Sequence, residues 1–269
     1  MTVTWVIERD VFSEECFDEM VIHFKQKFIP YHIVRIIPFV HEIEGKVPQI
    51  EGPCVVYGSI GSQKLAKAHG WTPGVWTNDQ FNETVLTEKL GGYALNYYGS
   101  RKVKFKNVLK EISLPVFFIK PDTDTKEFAG MVIEREEFDN WYQKMYTMGY
   151  LGKEDDIMEL DVVVSPPRDI GCEWRLVIIE GKVSEYSIYR QYQKVMPQHY
   201  APPEVIRFAE RMAEKHSPAD VFVMDVCETI GGFKVVEYNT FNSSGLYKCY
   251  IPKLIDDVNN FVEKKYTNA

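Results

Sequence analysis

Three oxygen-bearing side chains late in the chain are spaced for metal chemistry. Asp225 lies in the run VFVMDVCET, and Glu237 and Asn239 lie in FKVVEYNT, with Gly231-Gly232 between the two runs. A strand turns successive side chains to opposite faces, so Glu237 and Asn239 share one face. Paired as a hairpin, the two runs let Asp225 face the same place. A few hard oxygens suit magnesium shared with the phosphates of a nucleotide. A solvated strand end with incidental charges is the competing reading of this segment taken alone.

Three cations can complete such a site. Lys120 ends the apolar run LPVFFIK, where its head must reach water or an anion. Arg175 sits inside EWRLVII, and Arg190 inside SIYRQY. A guanidinium on a strand fits bidentate recognition of phosphate, although each of the three alone also reads as a snorkelling or salt-bridged residue. Cations around a magnesium carboxylate site are what phosphoryl transfer needs. No Cys-His or Ser-His arrangement offers a nucleophile. Cys16, Cys54, Cys172, Cys227 and Cys249 form no C-x-x-C pair, which argues against zinc and for reduced thiols in a cytoplasm. Cys54 and Cys227 lie in apolar runs and read as small core residues. The turn GSIGSQK, residues 58–64, has the look of a phosphate cradle opening a helix but lacks the G-K-[ST] of a P-loop. A tight strand-to-helix turn is its simpler reading.

The elements that position these residues follow from periodicity. Thr4 to Ile7 reads as a short strand. Ser13 to Phe28 reads as a helix capped by Ser13, with Phe17, Met20, Val21, Phe24 and Phe28 at helical spacing. Tyr31 to Val40 and Pro53 to Tyr57 read as strands, and Ser62 to His69 as a helix. This alternation predicts an α/β first domain with parallel strands. From about Tyr98 the character changes. Strands are expected over Leu114 to Lys120, Leu160 to Val164, Glu173 to Ile179, Ser184 to Tyr192, Val221 to Val226 and Phe233 to Tyr238. Helices are expected over Arg135 to Met148, Pro203 to His216 and Leu254 to Lys264. Turns at Glu180-Gly181-Lys182 and Gly231-Gly232 predict antiparallel pairing.

Composition narrows the function classes. The 269 residues are 45% hydrophobic, enough for a sizeable core, and carry a net charge of -8. That balance speaks against duplex nucleic acid as a partner, and the one dense basic run, Arg101 to Lys110, reads first as a solvated face. No stretch approaches the roughly 20 apolar residues of a membrane span. The opening MTVTWVIERD is charged where a signal peptide is apolar.

The ordered set PVFFIKP, LDVVVSPP, EWRLVIIEGKVSEYSIYR, MDV and VVEYNTFNSSG resembles the ATP-grasp superfamily. The tract around Glu173, Arg175 and Arg190 is similar to the acid-x-Arg … Arg strand pair of its ribosomal-protein glutamate ligase and glutathione synthetase-like members. The opening half, with PCVVYGSIGSQKLAKAHGWTPGVW, looks most like a small bacterial and bacteriophage clade. The resemblance implies an α/β (α+β) ATP-grasp fold behind an N-terminal Rossmann-like domain. The expected division is residues 1–96, then 97–269, with a lid-like part over about 97–163 and a catalytic part over about 164–269.

The same resemblance implies roles. Lys120 would hold ATP phosphates, the backbone of Val162, Val163, Val164 and Ser165 would read adenine, and Glu173 would lie near adenine or ribose. Arg175 and Arg190 would steady the transferred phosphate. Asp225, Glu237 and Asn239 would bind Mg2+, and Asn239 would also meet the nucleotide. Asn242, Ser243 and Ser244 would lie near the acceptor. Two departures stand out. The glycine-rich loop after the lysine is replaced by DTDTKEFAG, with one glycine. The first nucleotide lysine has no clear counterpart, with Lys104 and Lys106 as candidates. The implied activity is an ATP- and magnesium-dependent carboxylate–amine ligase acting through an acylphosphate, in the cytoplasm, or the host's if phage-encoded. Its acid and amine would be a small molecule, peptide or protein side chain. An ATP-dependent phosphotransferase and a non-catalytic nucleotide-binding module are the alternatives.

Overall fold

A computed structural model describes residues 2–37, 42–124, 127–147, 157–192 and 194–266. The first strand, β1 (Thr4–Glu8), is buried at all five positions, as befits a strand flanked on both sides. Helix α1 (Glu14–Lys27) follows; the Ser13 side chain accepts from the Cys16 N–H, and Phe28 closes the helix with φ 55°. Met20 and Phe24 are buried as expected, but Phe28 is exposed because it caps rather than packs. The expected strand from Tyr31 is split into β2 (Tyr31–Val34) and β3 (Ile36–Ile37), and β3 pairs with β4 (Glu42–Ile43). Its last residues, 38–40, lie outside the described residues. Strand β5 (Cys54–Tyr57), helix α2 (Ile60–Ala68) and β6 (Pro73–Gly74) complete a parallel sheet of order β2-β1-β5-β6. The strand order reverses between β1 and β5, the switch point of a Rossmann-like unit.

Helix α3 (Glu83–Leu90) leads into a smaller antiparallel sheet of order β7-β10-β8-β9. Its members are β7 (Arg101–Lys104), β8 (Val116–Pro121), β9 (Met131–Glu134) and β10 (Asp161–Ser165), with helices α4 (Val108–Glu111) and α5 (Arg135–Thr147) between them. Met148, at the end of the expected helix, lies outside the described residues. Alternation divides this sheet. Phe117, Ile119, Val162 and Val164 pack with Phe105 and Phe138 in one apolar cluster. Phe118 and Lys120 turn the other way, into a cavity.

The third unit is an antiparallel sheet of order β13-β12-β11-β14-β15. It comprises β11 (Cys172–Ile179), β12 (Lys182–Gln191), β13 (Lys194–Gln198), β14 (Val221–Thr229) and β15 (Gly232–Thr240), with helix α6 (Pro203–Lys215) before β14 and α7 (Ile251–Tyr266) at the end. Ile179 pairs with Lys182, and Glu180 and Gly181 between them both have positive φ, the signature of a two-residue type I′ turn. One face, with Trp174, Leu176, Ile178, Phe222 and Met224, packs on α6 and on Phe81, Leu86 and Leu90. Val177, Ile179, Val221 and Val223 on the opposite face share a core with α1, α7 and the parallel sheet. The remainder of that second face is open, and it carries the polar residues. None of the described helices is long and apolar enough to cross a membrane.

Candidate ATP site

Backbone pairing places a row of charges across the large sheet. Arg175 on β11 pairs with Asp225 on β14, and Asp225 pairs with Glu237 on β15. Since Arg175 lies two residues from Val177, and Asp225 two from Val223, the row continues the face that packs on α7. Asn239, two residues beyond Glu237, donates to Glu237 Oε1 at 3.0 Å and reaches Asp225 Oδ2 at 3.5 Å. The three oxygen-bearing side chains picked out by spacing therefore converge. A cavity of about 650 Å³ lies above them, closed on its other side by the smaller sheet.

Each carboxylate in the row holds a cation. Arg175 Nε and Nη2 meet the two oxygens of Asp225 at 2.9 and 2.7 Å, a bidentate pair. Burial pushes the Asp225 carboxyl above its ordinary range, and Arg175 offsets that only in part. Burial opposes the charge of Arg175 as well, but Asp225 outweighs it and keeps the guanidinium protonated. Arg175 also lies 5.0 Å from the ring centroid of Tyr247, which stacks on Tyr189. Arg190 meets Glu173 at 3.1 Å, and Tyr189 donates to the other Glu173 oxygen.

Lys120 reaches across from the smaller sheet to Glu237 Oε2 at 2.9 Å. Against its burial, Lys120 and then Asn239 hold the Glu237 carboxyl down to about 2. Burial likewise works against the Lys120 ammonium, but Glu237 and Glu83 more than reverse it, and its pKa is raised.

Several residues of the site were not visible in the spacing. Glu83, in the first turn of α3, holds Lys120 at 3.2 Å and accepts from Asn96. Asp122 accepts from the Thr84 N–H at 2.8 Å and from Lys102 at 2.7 Å, so the end of β8 is pinned to the start of α3. A loose signal existed in the Asn82-Glu83-Thr84 helix start and in the acid directly after Pro121, but nothing in sequence joins residues about 40 apart. Lys102 shares a row with Val163 and Lys120. The two lysines suggested by resemblance point elsewhere: Lys104 pairs with Asp161 at 2.8 Å and Lys106 with Glu159.

Other expected residues are not part of the cavity wall. Val162 and Val164 face the smaller sheet's core, and β10 is paired along both edges. Ser165 is buried and donates to Asn96. Asn242 is used up by backbone groups: it accepts from the Trp76 N–H and donates to the carbonyls of Val56 and Gly74. Ser243 bonds the Thr240 hydroxyl, and Ser244 the Thr240 carbonyl. The GSIGSQK turn is no phosphate cradle, because Glu8 Oε2 already takes the Ser59 N–H at the start of α2, at 2.6 Å.

The donor set suits magnesium. Among the described residues no cluster of three His, Cys, Asp or Glu side chains forms a ready metal cage. Mg2+ does not need such a cage, since it is usually held by one or two carboxylates together with substrate phosphates. Asp225 and Glu237 are hard oxygen donors on one cavity wall, and Asn239, whose amide nitrogen faces both carboxylates here, would offer its oxygen after the amide turns over. The cavity also has apolar lining, from Phe81, Leu95, Ile170, Met131 and Tyr238 among others.

A family model for an ATP-grasp domain, family 3 of its clade, matches residues 34–262. A search of curated protein sequences gives no match. Among solved structures the chain is similar to a RimK domain protein ATP-grasp from Sphaerobacter thermophilus, at TM-score 0.61 and 16% identity over 96% of this chain and 99% of that one. It is similar to the D-cycloserine synthetase DcsG, at TM-score 0.63 and 10% identity over 96% and 99%. It is also similar to the D-alanine-D-alanine ligase from Coxiella burnetii, at TM-score 0.62 and 12% identity over 100% and 97%. At such identities the likeness is one of fold.

Proposed function

The chain belongs to the ATP-grasp superfamily, in the clade family whose model covers residues 34–262, and from that premise we propose that it is an ATP- and magnesium-dependent carboxylate–amine ligase. The observation that carries this reading is the row Arg175, Asp225, Glu237, faced by Lys120 across one cavity. The volume is that of a small-molecule site, within the usual range of about 300–1,000 Å³. We assign the base to the apolar lining and the phosphates to the charged side chains.

The residues then act as follows. Lys120 leaves Glu237 and binds phosphate oxygens as a point charge. Arg175 stays fixed by Asp225 and turns its remaining surface to the transferred phosphoryl group; Arg190 does the same from the neighbouring strand. Glu237, Asp225 and Asn239 would hold the magnesium that comes with ATP, and the ion would supply neutralisation of phosphate charge and polarisation of the γ-phosphoryl group. A substrate carboxylate oxygen attacks that phosphorus, and ADP departs. An amine attacks the resulting acylphosphate carbon, loses a proton and expels phosphate, leaving an amide. The lid sheet and Phe118 keep water from the acylphosphate. Five free cysteines fit the cytoplasmic setting we assign, in a bacterial cell or a phage's host.

The experiment incubates purified protein with ATP, magnesium and panels of acid and amine pairs. ADP, phosphate and amide should appear in equal amounts. Phosphate retained on the product would instead make it a phosphotransferase, and ATP binding without turnover a non-catalytic module. Full activity in Glu237→Ala would remove the assignment of the site.

A further inference from the structure

Lys120 serves two carboxylates with one charge. Glu237 faces the cavity, whereas Glu83 stands behind Lys120, its side chain 1% exposed, and is not among the groups that line the cavity. Its place is fixed from several sides. The Glu83 N–H donates to the Asp122 carbonyl at 2.7 Å and the Thr84 N–H to Asp122 Oδ1 at 2.8 Å, so the first turn of α3 is held against the end of β8. Glu83 Oε2 accepts from Lys120 at 3.2 Å and Oε1 from the Asn96 amide at 3.2 Å, while Ser165 donates to Asn96 Oδ1 at 3.1 Å. Glu83, Asn96 and Ser165 are all buried. With the Asn96 amide turned over, a glutamine at position 83 would satisfy the same chain of hydrogen bonds without a charge. Burying a charge beyond what its cation balances costs stability. Folding alone therefore does not call for a carboxylate here, and a local conflict of this kind belongs to function.

Pairing off the charges of the site shows the surplus. Arg175 answers Asp225, Arg190 answers Glu173, and Lys120 answers Glu237. The other charged side chains of the lining, Arg168 and Asp124, are one of each sign. Behind the wall, Lys102 and Lys104 meet Asp122 and Asp161. Among the described residues, Glu83 is left over, and the site carries a surplus negative charge. We propose that Glu83 is a specificity-determining residue: a buried surplus carboxylate, fixed behind Lys120, that makes the site reject metal-free nucleotide and accept it as the magnesium complex. That the nucleotide is ATP rests on the ligase reading. A fixed negative charge opposes a polyanion in proportion to the charge it brings, and MgATP carries about two fewer negative charges than free ATP. Glu83 also prepares the exchange at Lys120. When Glu237 turned to the metal, Glu83 would remain as the partner of Lys120, and the ammonium would not be stripped of its counter-charge. Glu83 acts through Lys120 and through its charge, from behind the cavity wall.

The test is equilibrium binding of ATP to the whole chain by calorimetry, once with excess magnesium and once with excess EDTA, beside adenosine as a neutral ligand. In Glu83→Gln, metal-free ATP should bind more tightly than to wild type by on the order of tenfold, the effect of removing one unit charge close behind the phosphates. MgATP should gain less, so that the preference for the magnesium complex narrows, and adenosine should bind as it does to wild type. A merely structural role for Glu83 predicts the opposite, because a loosened site weakens every ligand. Glu83→Asp, which keeps the charge, should retain the wild-type preference, and Glu83→Ala serves if the glutamine variant does not fold. Unchanged or weaker binding of metal-free ATP in Glu83→Gln, an equal gain for adenosine, or loss of the preference in Glu83→Asp would overturn the proposal. Wild type that binds ATP in neither condition would remove the ATP reading itself and the proposal with it, a failure that shows before any variant is made.

Discussion

Replacing Lys120 with methionine removes an ammonium while keeping most of its apolar stem. In the protein that ammonium holds Glu83 at 3.2 Å and Glu237 at 2.9 Å. The Glu83 side chain is 1% exposed, so Lys120→Met strands a buried carboxylate that keeps, among the described residues, the Asn96 amide beside it. Breaking a buried pair from one side costs about 3–5 kcal/mol. Glu237 is 31% exposed and is discounted for solvent screening, so the lower figure, about 3 kcal/mol, is expected. For a chain of this size that corresponds to a fall in Tm of about 6–12 °C, at roughly 2–4 °C per kcal/mol. Adding Glu83→Gln to Lys120→Met should return about 1–2 kcal/mol, because the stranded charge is then gone. Urea unfolding followed by tryptophan fluorescence measures both, as a shift in midpoint at constant slope. ATP affinity should fall at least about tenfold in either variant, since neither has the phosphate-binding charge. A Lys120→Met protein within about 1 kcal/mol of wild type, or strictly additive effects of the two changes, would refute the claim that Lys120 is the counter-charge of Glu83.

Two further outcomes follow from named contacts. Glu237 has its folded pKa depressed from 4.5 to about 2, so the unfolded chain binds more protons in that interval. Its contribution is complete above about pH 4.5 and is lost as pH falls toward about 2; Glu237→Gln should flatten the decline of the urea midpoint with acid, and equal slopes would count against the Lys120 contact. A Cβ on Gly58 would come within 2.5 Å of Glu8 Cβ and 2.8 Å of Ser62 Oγ, whereas one on Gly245 meets nothing within 4 Å. Gly58→Ala should cost about 1–3 kcal/mol and Gly245→Ala within about 0.5, and thermal unfolding that ranks them the other way would show the β1–α2 approach to be looser than these contacts require.

How much was legible in the sequence depended on how local the cause was. The hairpin row was readable in part: period-two alternation puts Glu237 and Asn239 on one face, but an unbroken ladder from the turn would set Asp225 opposite Val236, and the irregularity between Asp225 and Val226 is what brings Asp225 opposite Glu237. Arg175 was readable because a guanidinium inside EWRLVII must find a partner, and strand register gives it Asp225. Glu83 was not, since it meets Lys120 only after α3 has docked on the large sheet, a tertiary event with no periodic trace. Val162 and Val164 were readable as strand, but an apolar run could not say that both its edges are paired and its side chains turned to the core of the smaller sheet. Asn242 suggested an acceptor contact through its place after the metal strand, yet its amide is spent holding Val56, Gly74 and Trp76.

The charges of the site share a feature that bears on how it works. Each one assigned to the nucleotide is already neutralised from within: Lys120 by Glu83 and Glu237, Arg175 by Asp225, Arg190 by Glu173. Under the proposed reading, binding ATP with magnesium would therefore be an exchange of partners, in which Lys120 would pass from Glu237 to phosphate as Glu237 passed from Lys120 to the metal. Neither half is favourable alone. Metal without nucleotide would have to displace Lys120 and leave its ammonium unpaired on that side, and nucleotide without metal would bring anionic phosphate against Glu237 and Asp225. On that reading the two would bind together, coupled through one contact, Lys120 to Glu237, that spans the smaller sheet and the larger one. Because that contact also fastens the two sheets, the proposed exchange would at the same time reset how the smaller sheet sits on the larger one.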